Sequence, residues 1–143
     1  MTRQEEDAEL ERFVDWYCTN IDGIEPDDWA HTSQVMKTMR EKKTAPSEIS
    51  KGLRQAVNDI ATDYLDNSPE EISSIDERLR RANLPTFTEV HLKFKNSLGK
   101  VIKRGKIRNE TEYYLAKNAL CDAPELYSKE DLEILEAVVG SWE

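Results

Sequence analysis

Between Ile49 and Tyr64 the apolar residues Ile49, Leu53, Ala56, Val57, Ile60 and Tyr64 recur mainly at steps of three and four, which places them on one face of an α-helix. A stretch with that period cannot alternate between the two faces of a sheet, so it has to lie as an amphipathic helix against a core built from similar helices. The period returns in Leu10, Phe13, Val14, Tyr17 and Ile21, in Ile72, Ile75, Leu79 and Ala82, and in Leu132, Leu135, Val139 and Trp142. It also runs through Phe87, Val90, Phe94, Leu98, Val101 and Ile102. With only five Gly and five Pro to interrupt 143 residues, the expectation is an all-α, compact bundle of about seven helices forming one domain over residues 1–143.

Punctuation divides these periodic runs into elements. Thr2 with Glu5 opens a first helix, which Asp22-Gly23 closes. Pro26-Asp27-Asp28 then reads as the start of a second helix through Trp29, Met36 and Met39 to about Lys43. Thr44-Ala45-Pro46 precedes the third helix, and Ser68-Pro69-Glu70-Glu71 caps a fourth that ends near Asn83. Thr86 with Glu89 is a second capping-box pattern, and the period behind it predicts one basic helix from Thr86 to Arg104. Gly105 is placed to close that helix in the left-handed conformation, after which Asn109 caps the next one. Pro124 and Ser128 delimit the last helix, on which Trp142 falls in the apolar stripe and is expected in the core. Trp16, Trp29, Tyr113 and Tyr114 read either as core or as interface anchors.

Charge is laid out in blocks. Residues 1–28 hold ten acids and two bases, residues 29–88 nine of each, residues 89–108 seven bases and one acid, and residues 109–143 nine acids and two bases. The net charge of −9 is thus the remainder of two acidic ends and a basic middle. One reading is intramolecular, with acidic end helices beside the basic one; the other is an acidic face for a basic partner. Two cysteines, Cys18 and Cys121, and no apolar run at the N-terminus point to a reduced, cytoplasmic protein that does not enter a membrane.

Catalytic patterns are missing where they would be expected. His31 and His91 are 60 residues apart with no His or Cys at ligand spacing, so no metal site is expected. No serine lies in a nucleophile elbow, neither cysteine has a His nearby, and no phosphate-binding glycine loop occurs. No catalytic residue and no cofactor is therefore assigned. Glu5-Glu6-Asp7-Ala8-Glu9 and Glu25-Pro26-Asp27-Asp28 resemble the EExxE and ExxD carboxylate sets with which all-helical nucleotide pyrophosphohydrolases hold Mg2+; favourable charge at helix N-termini explains the same residues. A nucleic-acid-binding module would use the basic helix 93–108 through Lys100, Lys103, Arg104, Lys106 and Arg108. No aromatic set is interleaved there for base stacking.

The run from Lys103 to Asn118, KRGKIRNETEYYLAKN, followed by Ser128-Lys-Glu-Asp-Leu-Glu and a short acidic end, resembles the tail of small acidic bacterial proteins similar to immunity proteins of contact-dependent and other polymorphic toxin systems. The resemblance covers roughly the last 40 residues and implies scaffold more than site. It implies a cytoplasmic protein that binds and neutralises a cognate toxin by surface complementarity, the toxin presenting a basic surface. The acids placed to meet such a surface are Asp15, Asp22, Asp27 and Asp28, with Trp16 and Trp29 as anchors.

Overall fold

The computed structural model describes residues 2–95 and 97–143. It is all-α, with eight α-helices and no strand among the described residues. The chain forms two compact units, residues 1–60 and 61–143.

The first unit contains α1 (Arg3–Asn20), α2 (Thr32–Glu41) and most of α3 (Pro46–Asp63). Thr2 caps α1 by accepting a hydrogen bond from the Glu5 N–H at 3.2 Å, as its position before the acidic first turn requires. The stripe Leu10, Phe13, Val14, Tyr17 and Cys18 is buried, as are Met36 of α2 and Leu53 and Val57 of α3. Arg54 on α3 holds Glu6 and Asp7 of α1 at 3.0 and 2.9 Å, and Arg40 at the end of α2 holds Glu11 at 2.9 Å. These acids are neutralised within their own unit.

The second helix differs from expectation. Residues 26–31 are turns, and α2 begins only at Thr32, capped by the imidazole of His31. Glu25 precedes Pro26 where a short oxygen-bearing side chain would have to stand to cap a helix, and the Asp28 carboxylate instead accepts the Ala30 N–H at 2.9 Å. That local bond competes with the helical path and wins.

The second unit holds α4 (Pro69–Arg81), α5 (Phe87–Lys95), α6 (Leu98–Arg104), α7 (Glu110–Asp122) and α8 (Lys129–Trp142). Ser68 and Glu71 close a complete capping box on α4, and Thr86 Oγ1 accepts the Glu89 N–H at 3.1 Å. The single basic helix expected from Thr86 to Arg104 is instead two, α5 and α6. Ser97 does not cap α6 with its side chain; its hydroxyl bonds Nε2 of the buried His91 at 2.8 Å. Gly105 takes φ 75° and ψ 20°, the left-handed close anticipated for it. Trp142 departs from expectation: it is 41 % exposed and stacks over Tyr113 with ring centroids 6.2 Å apart. Leu135 and Val138 are the buried positions of α8, and at the helix end the indole covers one ring instead of entering the core.

Candidate functional site: the Trp29 loop

The segment from Asp22 to Ala30 contains four acids, one tryptophan and no base. It leaves α1 through Gly23 at φ 68°; the Asp22 N–H returns to the Tyr17 carbonyl at 3.1 Å, a six-to-one bond, and the Ile24 N–H to the Cys18 carbonyl at 2.9 Å, and together they seal the helix end. Two turns follow. The Asp28 N–H donates to the Glu25 carbonyl at 2.9 Å, and the His31 N–H donates to the Asp28 carbonyl at 3.0 Å. The Pro26 carbonyl accepts from Ser33 Oγ at 3.3 Å and from Gln34 Nε2 at 2.9 Å, which ties the loop to the first turn of α2.

Beneath the loop lies His31, only 2 % exposed. Its Nδ1 accepts the Ser33 N–H at 3.1 Å, so the ring proton sits on Nε2 and is donated to Thr19 Oγ1 of α1 at 2.8 Å. Cys18 Sγ lies 3.0 Å from Thr32 Oγ1 in the same layer. The result is a surface loop fixed at both ends by buried polar contacts, with Trp29 at its tip 85 % exposed. Asp22, Asp27 and Asp28 are exposed beside it.

Asp15 and Trp16 are half-buried on α1. Asp15 Oδ1 is buried without a hydrogen-bond partner among the described residues. Burial first, then the nearby Glu11, pushes the Asp15 carboxyl above the usual carboxylate range. It belongs to the seam between α1 and α2 more than to the outer acidic surface.

In the second unit Lys100, Lys103, Lys106 and Arg108 are exposed. Arg104 is half-buried and forks onto Glu112, Nη1 to Oε1 at 2.9 Å and Nη2 to Oε2 at 3.2 Å. Glu112 also accepts the Arg108 N–H at 2.7 Å and lies 3.9 Å from its side chain. Burial alone would raise the Glu112 carboxyl, but the Arg104 hydrogen bonds and the Arg108 N–H outweigh it and hold the group below its ordinary range. Arg104 of the basic segment is thus paired with Glu112 of α7, the intramolecular arrangement that the charge blocks allowed.

The formal carboxylate sets for Mg2+ are not brought together. Glu6 and Asp7 face Arg54, Glu25 and Asp28 lie in turns, and among the described residues no three His, Cys, Asp or Glu side chains are grouped to hold a metal ion. Cys18 and Cys121 are free thiols. Among the described residues no helix is long and apolar enough to cross a membrane. Compared with known protein families, curated proteins and solved structures, the chain has no match.

Proposed function

We propose that the protein is a bacterial, cytoplasmic immunity protein that binds one cognate toxin through the Trp29 loop and blocks the toxin's basic active-site cleft. The observation that carries this reading is a tryptophan 85 % exposed on a loop held by turn hydrogen bonds and buried anchors. Leaving an indole in water is unfavourable for an isolated chain, and tryptophan dominates binding hot spots because it fills a pocket with a large rigid area. A loop already fixed in shape loses little further entropy on docking. The surrounding Asp22, Glu25, Asp27 and Asp28 match a cleft that binds nucleic-acid phosphates and reject surfaces of their own sign. Inhibition needs only this complementarity, and the resemblance of the C-terminal segment supports the same class.

The test is co-expression with the toxin encoded beside the gene. Rescue of growth and a complex stable in size exclusion are expected. Trp29→Ala should weaken binding by about 2–3 kcal/mol while leaving the melting temperature in place, since the side chain touches solvent. Failure to rescue from every neighbouring toxin, with no complex, overturns the reading.

A further inference from the structure

The first unit carries an open cleft of about 440 Å3 between the first half of α1, the end of α2 and the first half of α3, a size that suits a small organic ligand. Its floor is the buried Met36 and Leu53, and its walls are the half-buried Ile49 with the exposed Ala8 and Pro46. The charged side chains of the lining are already matched. Asp7 is held by Arg54 and Glu11 by Arg40, each at 2.9 Å. The polar groups left over carry no charge. Ser50 lines the cleft and is only 9 % exposed; its hydroxyl accepts from Arg3 Nη2 at 3.3 Å and donates to no acceptor among the described residues. Gln4 and Thr44, also in the lining, have side chains that make no hydrogen bond among the described residues. A hydroxyl proton so placed is a cost that a ligand oxygen removes.

We propose that this cleft binds a small uncharged amphiphile, an apolar chain or ring that carries a carbonyl, amide or hydroxyl head. The apolar body covers Ala8, Pro46 and Ile49, the Ser50 hydroxyl donates to the oxygen of the head, and Thr44 or Gln4 supplies the complementary partner. Charge is selected against in both signs. A cationic head would have to replace Arg54 or Arg40 at a carboxylate, an anionic head would have to replace Asp7 or Glu11 at a guanidinium, and either would surrender its hydration to a site already neutralised. Every lining residue belongs to the first unit and none to the Trp29 loop, so the site does not depend on the toxin-binding reading.

Amide chemical-shift titration of the whole chain tests it. Hexanamide has the apolar chain and an uncharged head; hexanoate and hexylamine keep the chain and give the head a negative or a positive charge, and acetamide keeps the head without the chain. Saturable shifts centred on Ala8, Ile49 and Ser50 are expected for hexanamide, with an affinity at least about tenfold above that of the other probes. Ala8 is exposed, so Ala8→Trp should keep the helical circular dichroism spectrum while its indole fills the cleft and weakens hexanamide binding about tenfold or more; Ser50→Ala should weaken it severalfold. Glu11→Gln releases Arg40 from its partner and should raise hexanoate affinity severalfold without raising that of hexylamine. Hexanamide shifts that do not saturate, equal binding of hexanamide and either charged probe, or a hexanamide affinity unchanged in both Ala8→Trp and Ser50→Ala would overturn the proposal.

Discussion

Asp76 is fully buried on α4 and accepts hydrogen bonds from the Thr88 N–H at 3.1 Å, from the Thr88 hydroxyl and, at 3.3 Å, from the Tyr114 hydroxyl. Because Thr88 donates to the carboxylate, its oxygen is left to accept from Tyr64, 3.0 Å away. One carboxylate thus orients three donors and places negative charge at the first turn of α5, where the helix dipole favours it. Asp76→Ala strands those donors in an apolar interior and should cost about 3 kcal/mol in chemical denaturation. Asp76→Asn should cost less but not zero: its amide must donate to Thr88 and Tyr114, which reverses the Thr88–Tyr64 bond and leaves one hydroxyl hydrogen without an acceptor. A denaturation midpoint unchanged in Asp76→Ala would refute this role. His91, 1 % exposed, gives the pH dependence. It donates from Nδ1 to the Ala61 carbonyl at 2.7 Å, accepts from Ser97 at Nε2, and stacks on Tyr64 with centroids 4.3 Å apart. Burial holds the imidazole below its ordinary value of 6.5, against the pull of the Ala61 carbonyl. The unfolded chain therefore binds the proton first as pH falls. The stability this group contributes is complete above about pH 6.5 and is lost as pH falls from there through the folded value. Between pH 7.5 and 5.5 the wild type should lose more stability than His91→Gln, by at most about 1.4 kcal/mol per pH unit; equal losses would remove His91 from the account.

Gly105 closes α6 at φ 75°, and a Cβ added there would meet nothing within 4 Å, so any substitution acts on the backbone alone. Gly105→Val should cost at least about 1 kcal/mol and Gly105→Asn less, because asparagine tolerates the left-handed region; a melting temperature unchanged in Gly105→Val would exclude the strain argument. This close was legible because glycine after a basic last turn has one common use. So was the α4 start, where Ser68 supplies the cap that Pro69 needs behind it. The similar-looking Glu25-Pro26-Asp27-Asp28 failed as a helix start for want of that cap, and the cap that does start α2 is a histidine nitrogen, outside the short oxygen-bearing side chains that mark such positions. The division of the basic segment into α5 and α6 was illegible for a similar reason: the apolar period continues across it, while Ser97 is engaged by a histidine six residues back. The candidate site was half legible. Its acids and Trp29 are adjacent in sequence, but the expected helix from Pro26 is absent; a turn held by Asp28 carries Trp29 instead, and Asp27, Asp28 and Trp29 are all exposed. His31→Ala should release that turn by removing both the α2 cap and the Thr19 bond. Faster amide exchange at residues 28–34 is expected, and protection equal to wild type would show that the loop is held without it.

At the scale of the molecule the net charge of −9 acts at a distance that individual contacts do not. Glu6, Asp7 and Glu11 are paired inside the first unit and Glu112 inside the second, so these carboxylates add little field beyond their partners. Asp27 and Asp28 lie exposed on the Trp29 loop and project theirs outward. If that loop meets a basic cleft, the two halves of the interaction separate kinetically: the charges guide encounter, whereas the indole holds the complex once formed. Each Asp→Lys change adds two charge units, so Asp27→Lys with Asp28→Lys takes the net charge from −9 to about −5 and reverses the sign at the loop itself. The double variant should associate at least about tenfold more slowly at low salt, with the difference shrinking as ionic strength rises and the screening length falls below about 10 Å. Trp29→Ala should do the reverse, leaving association near wild type and raising the dissociation rate by about 30- to 150-fold, the kinetic equivalent of 2–3 kcal/mol. Surface-bound toxin and a salt series resolve both rates. An association rate independent of salt in the wild type, or a Trp29→Ala effect confined to association, would place the binding energy elsewhere than on this loop.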